Sequence, residues 1–132
     1  MPQHSDAHPV SLETAHPPTS SNQKRNSGRR KPRESLKQKL SQRTARVGVL
    51  GLGYVGLSTM VACAEAGFRV TGLEINRERV DRVNSGHSYI EDVEDVVLGP
   101  LVQRQMVTAT DDFGELSEVD VIVICVPTPV NK

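Results

Sequence analysis

The chain has 132 residues, 16 Lys/Arg balanced by 16 Asp/Glu, two cysteines and no tryptophan, a length that suits one domain of roughly 100 residues with an appendage. The zero net charge hides a split: residues 1–45 hold nine Lys/Arg and three Asp/Glu, a net of +6, and residues 46–132 hold seven and thirteen, a net of −6. No apolar run nears the ~18 residues of a membrane span. The opening MPQHSDAHPV has no apolar core, Asp6 and Glu13 argue against a transit sequence, and neither Cys63 nor Cys125 lies in a CxxC pair or near a histidine. A membrane span, a signal peptide and a metal site are therefore not indicated, and a reducing, cytoplasmic setting is expected.

Residues 1–45 read as a disordered basic tail. They contain five of the eight prolines and one of the ten glycines, and SSNQKRNSGRRKPRESLKQKLSQR shows no apolar periodicity to offset the entropy of ordering it. A short helix over 34–42 is compatible with the sequence. The basic charge suits an electrostatic arm for nucleic acid or an anionic surface, but the tail has no aromatic residue to stack on bases. A solvated extension without a specific nucleic-acid partner is the expectation.

From Arg46 onward the pattern alternates between short apolar strands and helical spacing. VGVL (47–50) is a buried strand, and YVGLSTMVACAEAG (54–67) a helix ending at Gly67. FRVTGLE (68–74) is a second strand, and NRERVDRVNSG (76–86) a charged helix with Val80 and Val83 on one face. IEDVEDVVLGPLVQRQ (90–105) has helical spacing, with Pro100 expected to break it or to start a second piece. VTAT (107–110) is a weak third strand, Asp111 a candidate cap for a short helix through Leu116, and DVIVICV (120–126) a strand apolar on both faces. This order predicts an α/β fold: a Rossmann-like, doubly wound parallel sheet of strand order 3-2-1-4, with helices on both faces. Residues 46–132 form the folded part.

The chemistry-bearing motif is GLGYVG, with glycines at Gly51, Gly53 and Gly56 where the first strand passes into the first helix. That context is what a dinucleotide-binding loop requires. Gly51 allows a sharp turn, Gly53 a close approach of a pyrophosphate, and Gly56 close packing of helix on sheet. The N–H groups and dipole of the helix start then face the phosphates. Glu74 ends the second strand 18 positions after Gly56, where a carboxylate accepts hydrogen bonds from ribose hydroxyls. A carboxylate there repels a 2′-phosphate, so NAD is favoured, although Arg77 and Arg79 nearby keep NADP open. No Lys-Ser/Thr follows the glycines, so a triphosphate-hydrolysing loop is not indicated. Strand four neighbours strand one, which brings Pro127, Thr128 and Pro129 beside the loop; prolines after a buried strand are equally ordinary loop punctuation.

GLGYVGL (51–57), the strand-end acid with Arg79 five positions on, and VPTP (126–129) together resemble the N-terminal NAD-binding domain of the UDP-glucose/GDP-mannose dehydrogenases, over about residues 46–132. YIEDVEDVVLGPLV (89–102) is most similar to the branch acting on UDP-N-acetyl-hexosamines. The resemblance implies that Tyr54 and Val55 meet the pyrophosphate through backbone groups, that Glu74 and Arg79 hold the adenosine ribose, and that Thr128 contacts the cofactor. It further implies oxidation of the C6 primary alcohol of a nucleotide sugar to a carboxylate, in two steps that reduce two NAD, in polysaccharide biosynthesis. In such enzymes a later cysteine forms a thiohemiacetal, Lys, Asn and Asp residues assist, a helical middle makes the dimer, and a second domain binds the nucleotide sugar.

The sequence ends at Lys132, before any of that later machinery. A fragment is expected: a sheet without strands five and six, an exposed apolar edge at strand four, and no turnover by the chain alone. Cys63 and Cys125 read as small core residues and His87 as a loop residue, so no catalytic residue is assigned. A non-catalytic dinucleotide-binding module is the alternative function.

Overall fold

The computed structural model describes residues 33–127. Residues 1–32, with most of the expected tail, and Thr128 lie outside the described residues.

The first helix, α1 (Leu36–Gln42), starts at Ser35, whose hydroxyl accepts the Gln38 N–H while the Gln38 side chain accepts the Ser35 N–H. The chain leaves the helix through Arg43 in the left-handed region, φ 58°. The compact unit accordingly begins at Glu34, twelve residues before the expected start of the folded part at Arg46. Its charges meet partners far along the sequence: Lys39 Nζ lies 2.8 Å from Asp120 Oδ1, and Arg43 Nε donates to the Ala66 carbonyl at 2.6 Å. Arg43 also lies over the Phe68 ring, and Ala45 is 1% exposed. Composition marks these residues as solvated because it cannot see such long-range pairs.

The sheet contains β1 (Arg46–Leu50), β2 (Arg69–Leu73), β3 (Val107–Thr110) and β4 (Val121–Ile124), all parallel, in the order β3-β2-β1-β4. This is the expected 3-2-1-4 arrangement. Helices α2 (Tyr54–Glu65), α3 (Arg77–Asn84) and α4 (Asp95–Gln103) carry the chain between the first three strands. Helix α4 packs against both α2 and α3, so the three share one face of the sheet. That follows from connection handedness: right-handed crossovers that step in one direction, β1 to β2 to β3, all fall on the same side. Leu57, Met60 and Val61 of α2, Val83 of α3 and Leu98 of α4 meet Val47, Val49 and Val70 there as the core.

The opposite face, also expected to carry helices, is crossed among the described residues by the return from β3 to β4. A 3₁₀ segment, Phe113–Glu118, lies on this return, and Val119 approaches so close to β1 that a Cβ on Gly48 would sit 3.2 Å from it. The segment is capped by Asp112, which accepts the Gly114 N–H, in place of the expected Asp111. β4 is shorter than the 120–126 expected, and it alternates. Val123 packs on the core while Ile122 and Ile124 are 49% and 68% exposed. The sequence is apolar on both faces, but only one is covered by the described residues.

Helix α4 begins at Asp95, five residues later than the apolar spacing suggests, because residues 90–94 form turns that still bury Val93. Pro100 neither breaks nor restarts it. The missing N–H falls opposite the Val96 carbonyl on the solvent flank, and Leu98 and Leu101 hold the helix down on either side.

Candidate cofactor site

The site forms where β1, β2 and β4 end. Gly51 takes φ +92°, a left-handed turn that swings the chain off β1, and a Cβ there would press on the Cys125 carbonyl at 3.1 Å. Gly56 is buried one turn into α2. A Cβ on it would lie 1.7 Å from the Gly51 carbonyl oxygen, so this glycine lets the helix close on the loop itself. Gly53 differs from both: a Cβ added there meets nothing within 4 Å. The missing side chain is required by nothing in the protein, and it leaves the backbone open to an incoming group. Gly53 is also the N-cap of α2, with no side-chain cap and no acidic residue in the first turn. The leading N–H groups of a helix have no intrahelical acceptor, so this end suits an anion. The loop therefore fits a pyrophosphate.

Glu74 follows β2 and is 7% exposed. Its Oε2 accepts the Leu52 N–H at 2.8 Å, tying the strand end to the glycine loop. Its Oε1 accepts the Asn76 N–H at 3.2 Å and lies 3.8 Å from Arg79 Nη1. A carboxylate offers about four acceptor positions, so these contacts leave capacity for a ligand hydroxyl.

A cleft of about 930 Å³ opens between these groups. Of the expected site residues, Gly51, Gly53, Tyr54, Val55, Glu74 and Arg79 line it. Gly56 lies beneath the loop, and Thr128 follows the described residues, although its neighbour Pro127 lines the cleft. Ile75 and Phe113 add apolar walls that the sequence reading did not single out.

Leu52 and Tyr89 were also missed. The Tyr89 hydroxyl donates to the Leu52 carbonyl, and its ring lies under the guanidinium groups of Arg79 and Arg82, at 5.5 and 5.6 Å. Burial is the main cause that pushes the Tyr89 phenol up to about 12. Leu52 occupies a variable position of the glycine motif, and Tyr89 sits in SGHSY, a loop with no periodicity. Both stretches carry the family resemblance, GLGYVGL and YIEDVEDVVLGPLV, but nothing in their spacing pairs Tyr89 with Leu52.

Cys125 lies just past β4 rather than within it. Its N–H donates to the Leu50 carbonyl at 2.8 Å, and it reaches the cleft. Cys63 is half-buried on α2, and burial first, then Cys125, raises its thiol. His87 is exposed and pairs with Asp95 at 3.2 Å. Among the described residues no three His, Cys, Asp or Glu side chains converge as a metal site would require, and no helix is long and apolar enough to cross a membrane.

Residues 45–132 match the family model described as the UDP-glucose/GDP-mannose dehydrogenase family, NAD binding domain. The chain is 37% identical over 87 residues to UDP-N-acetyl-D-mannosamine dehydrogenase of Pyrococcus horikoshii, covering 65% of this chain and 21% of that protein. It is 34% identical over 84 residues to NDP-N-acetyl-D-galactosaminuronic acid dehydrogenase of Ralstonia nicotianae, covering 63% and 19%. Its fold superimposes on GDP-mannose dehydrogenase of Pseudomonas aeruginosa with a TM-score of 0.61 at 33% identity, covering 66% of this chain and 20% of that one. The chain thus spans about a fifth of the length of the relatives it matches. With the family model covering two thirds of the sequence, and the glycine loop and strand-end carboxylate lining one cleft, the chain belongs to the UDP-glucose/GDP-mannose dehydrogenase family, as its NAD-binding domain.

Proposed function

We propose that this cleft holds NAD for the oxidation of the C6 primary alcohol of a UDP-sugar to a carboxylate. The observation that carries the reading is the open backbone at Gly53, at the uncapped start of α2 and beside the buried Glu74. In this reading Gly51 and Gly56 shape the loop, and Gly53, Tyr54 and Val55 present backbone groups to the pyrophosphate. Glu74 and Arg79 hold the adenosine ribose, and Thr128 makes a further cofactor contact. When bound, NAD supplies a hydride acceptor. The chain's own part is to bind and orient the cofactor, while the sugar site and the acid–base and thiol groups belong to the portion of the relatives that this chain does not cover.

The relatives named for UDP-N-acetyl-D-mannosamine favour an N-acetylated hexosamine as the sugar. Self-association, a cytoplasmic location and a place in polysaccharide biosynthesis complete the reading and rest on the family alone. Calorimetric titration of the chain with NAD and NADP tests the cofactor. Saturable NAD binding, at least about tenfold tighter than NADP, is expected from a carboxylate facing the 2′ position. Equal or tighter NADP binding contradicts it. For the substrate, a continuous gene product that reduces NAD at 340 nm with UDP-N-acetyl-hexosamines supports the reading, and one inert towards every UDP-sugar rejects it.

A further inference from the structure

The glycine loop is held on both sides of a single residue. The Leu52 N–H is bound by Glu74 Oε2 at 2.8 Å, and the Leu52 carbonyl is bound by the Tyr89 hydroxyl. Leu52 itself is fully buried. The peptide that follows its carbonyl leads directly into Gly53, the open position of the cleft. The Tyr89 ring is a second point of contact. Arg79 and Arg82 stand over it, and Arg79 also reaches Glu74 at 3.8 Å. Arg82 is tied in turn to the Ser88 carbonyl at 2.6 Å, which fixes the loop that carries Tyr89. One side chain thus touches the phosphate-facing loop through its hydroxyl and the ribose-facing arginine through its ring.

We propose that Tyr89 is a positioning residue for the cofactor: its hydroxyl fixes the orientation of the Leu52–Gly53 peptide, and its ring holds Arg79 beside Glu74. This rests on the reading of the cleft as an NAD site. The two contacts are separable, since phenylalanine keeps the ring and loses the hydroxyl, while leucine loses both. The net contribution of one neutral hydrogen bond corresponds to about threefold to tenfold in an equilibrium constant, the size of effect expected if the fixed peptide is what the cofactor meets. The phenol stays protonated well above neutral pH, so the hydroxyl is available as a donor throughout the ordinary range.

The test titrates the wild-type chain and the variants Tyr89→Phe and Tyr89→Leu with NAD, ADP-ribose and adenosine, with a thermal melt of each. Tyr89→Phe is expected to weaken NAD and ADP-ribose about threefold to tenfold and leave adenosine unchanged. Tyr89→Leu is expected to weaken adenosine as well, because Arg79 loses its platform. A merely structural role would lower the melting temperature and weaken all three ligands by the same factor in Tyr89→Phe, and that result overturns the proposal. Unchanged NAD affinity in Tyr89→Phe also overturns it. A wild-type chain that fails to bind NAD removes both this inference and the reading on which it rests, whereas wild-type binding with no effect of either variant removes this inference alone.

Discussion

The two ends of the sheet are built differently. At the amino end, Lys39 of α1 and Arg43 just after it are paired with groups at the strand starts. Asp120 takes Lys39 on one oxygen and the Arg46 N–H on the other, each at 2.8 Å, and Arg43 closes over Ala66 and Phe68. At the carboxyl end the same strands finish in a cleft, an uncapped helix start and a glycine with nothing in front of it. Polar groups there are anchored through part of their capacity and keep the rest. Glu74 is held by two backbone N–H groups and still faces the cleft. An end that serves stability saturates its hydrogen bonds, and one that serves a ligand leaves some to be met.

The largest disruption is expected from Gly56→Ala, where the new methyl would fall 1.7 Å from the Gly51 carbonyl. Backbone must move, and a cost of about 3 kcal/mol is expected, with a lower melting temperature and loss of NAD binding together. Glu74→Ala should come next. It strands the buried Leu52 N–H, at about 1–3 kcal/mol, and denaturant titration should show this alongside weaker NAD binding.

Alkaline pH separates the two ends in a third way. Tyr89 is pushed up to about 12, chiefly by burial, so the folded state keeps its proton where the unfolded chain loses it. That contribution is complete below the ordinary tyrosine range near 10 and fades as pH rises through about 12. Thermal melts across this range should fall less steeply in Tyr89→Phe.

The smallest effect is expected at the closed end. The Lys39 ammonium and the Arg46 N–H hold the Asp120 carboxyl below its usual range, so its contribution is present above that range and is lost as pH falls through the lowered value. Lys39→Ala should lower stability slightly near neutral pH, make the acid limb of the melting profile shallower and leave NAD affinity as in the wild type. A change in NAD affinity would mean that the two ends are coupled.

Much of this was legible in the sequence, where local pattern and structure share a cause. Strand order follows from alternating apolar runs and crossover handedness, and the Gly51, Gly53 and Gly56 positions follow from the motif with Glu74 at its expected distance. The rest depends on contacts that sequence distance hides. α1 is ordered by Asp120 and Ala66, 81 and 23 residues from their partners. Tyr89 meets Leu52 from 37 residues away, out of a loop with no period. The start of α4 moved because Val93 is buried from a turn, a burial that helical spacing mimics.

Gly53→Ala tests the central claim most directly, because a Cβ there touches nothing in the free protein. Calorimetric titration with NAD beside a thermal melt should give stability within about 1 kcal/mol of the wild type and NAD affinity reduced about tenfold or more. Wild-type NAD affinity in this variant would contradict the account, since the open position would then not be where the cofactor meets the chain.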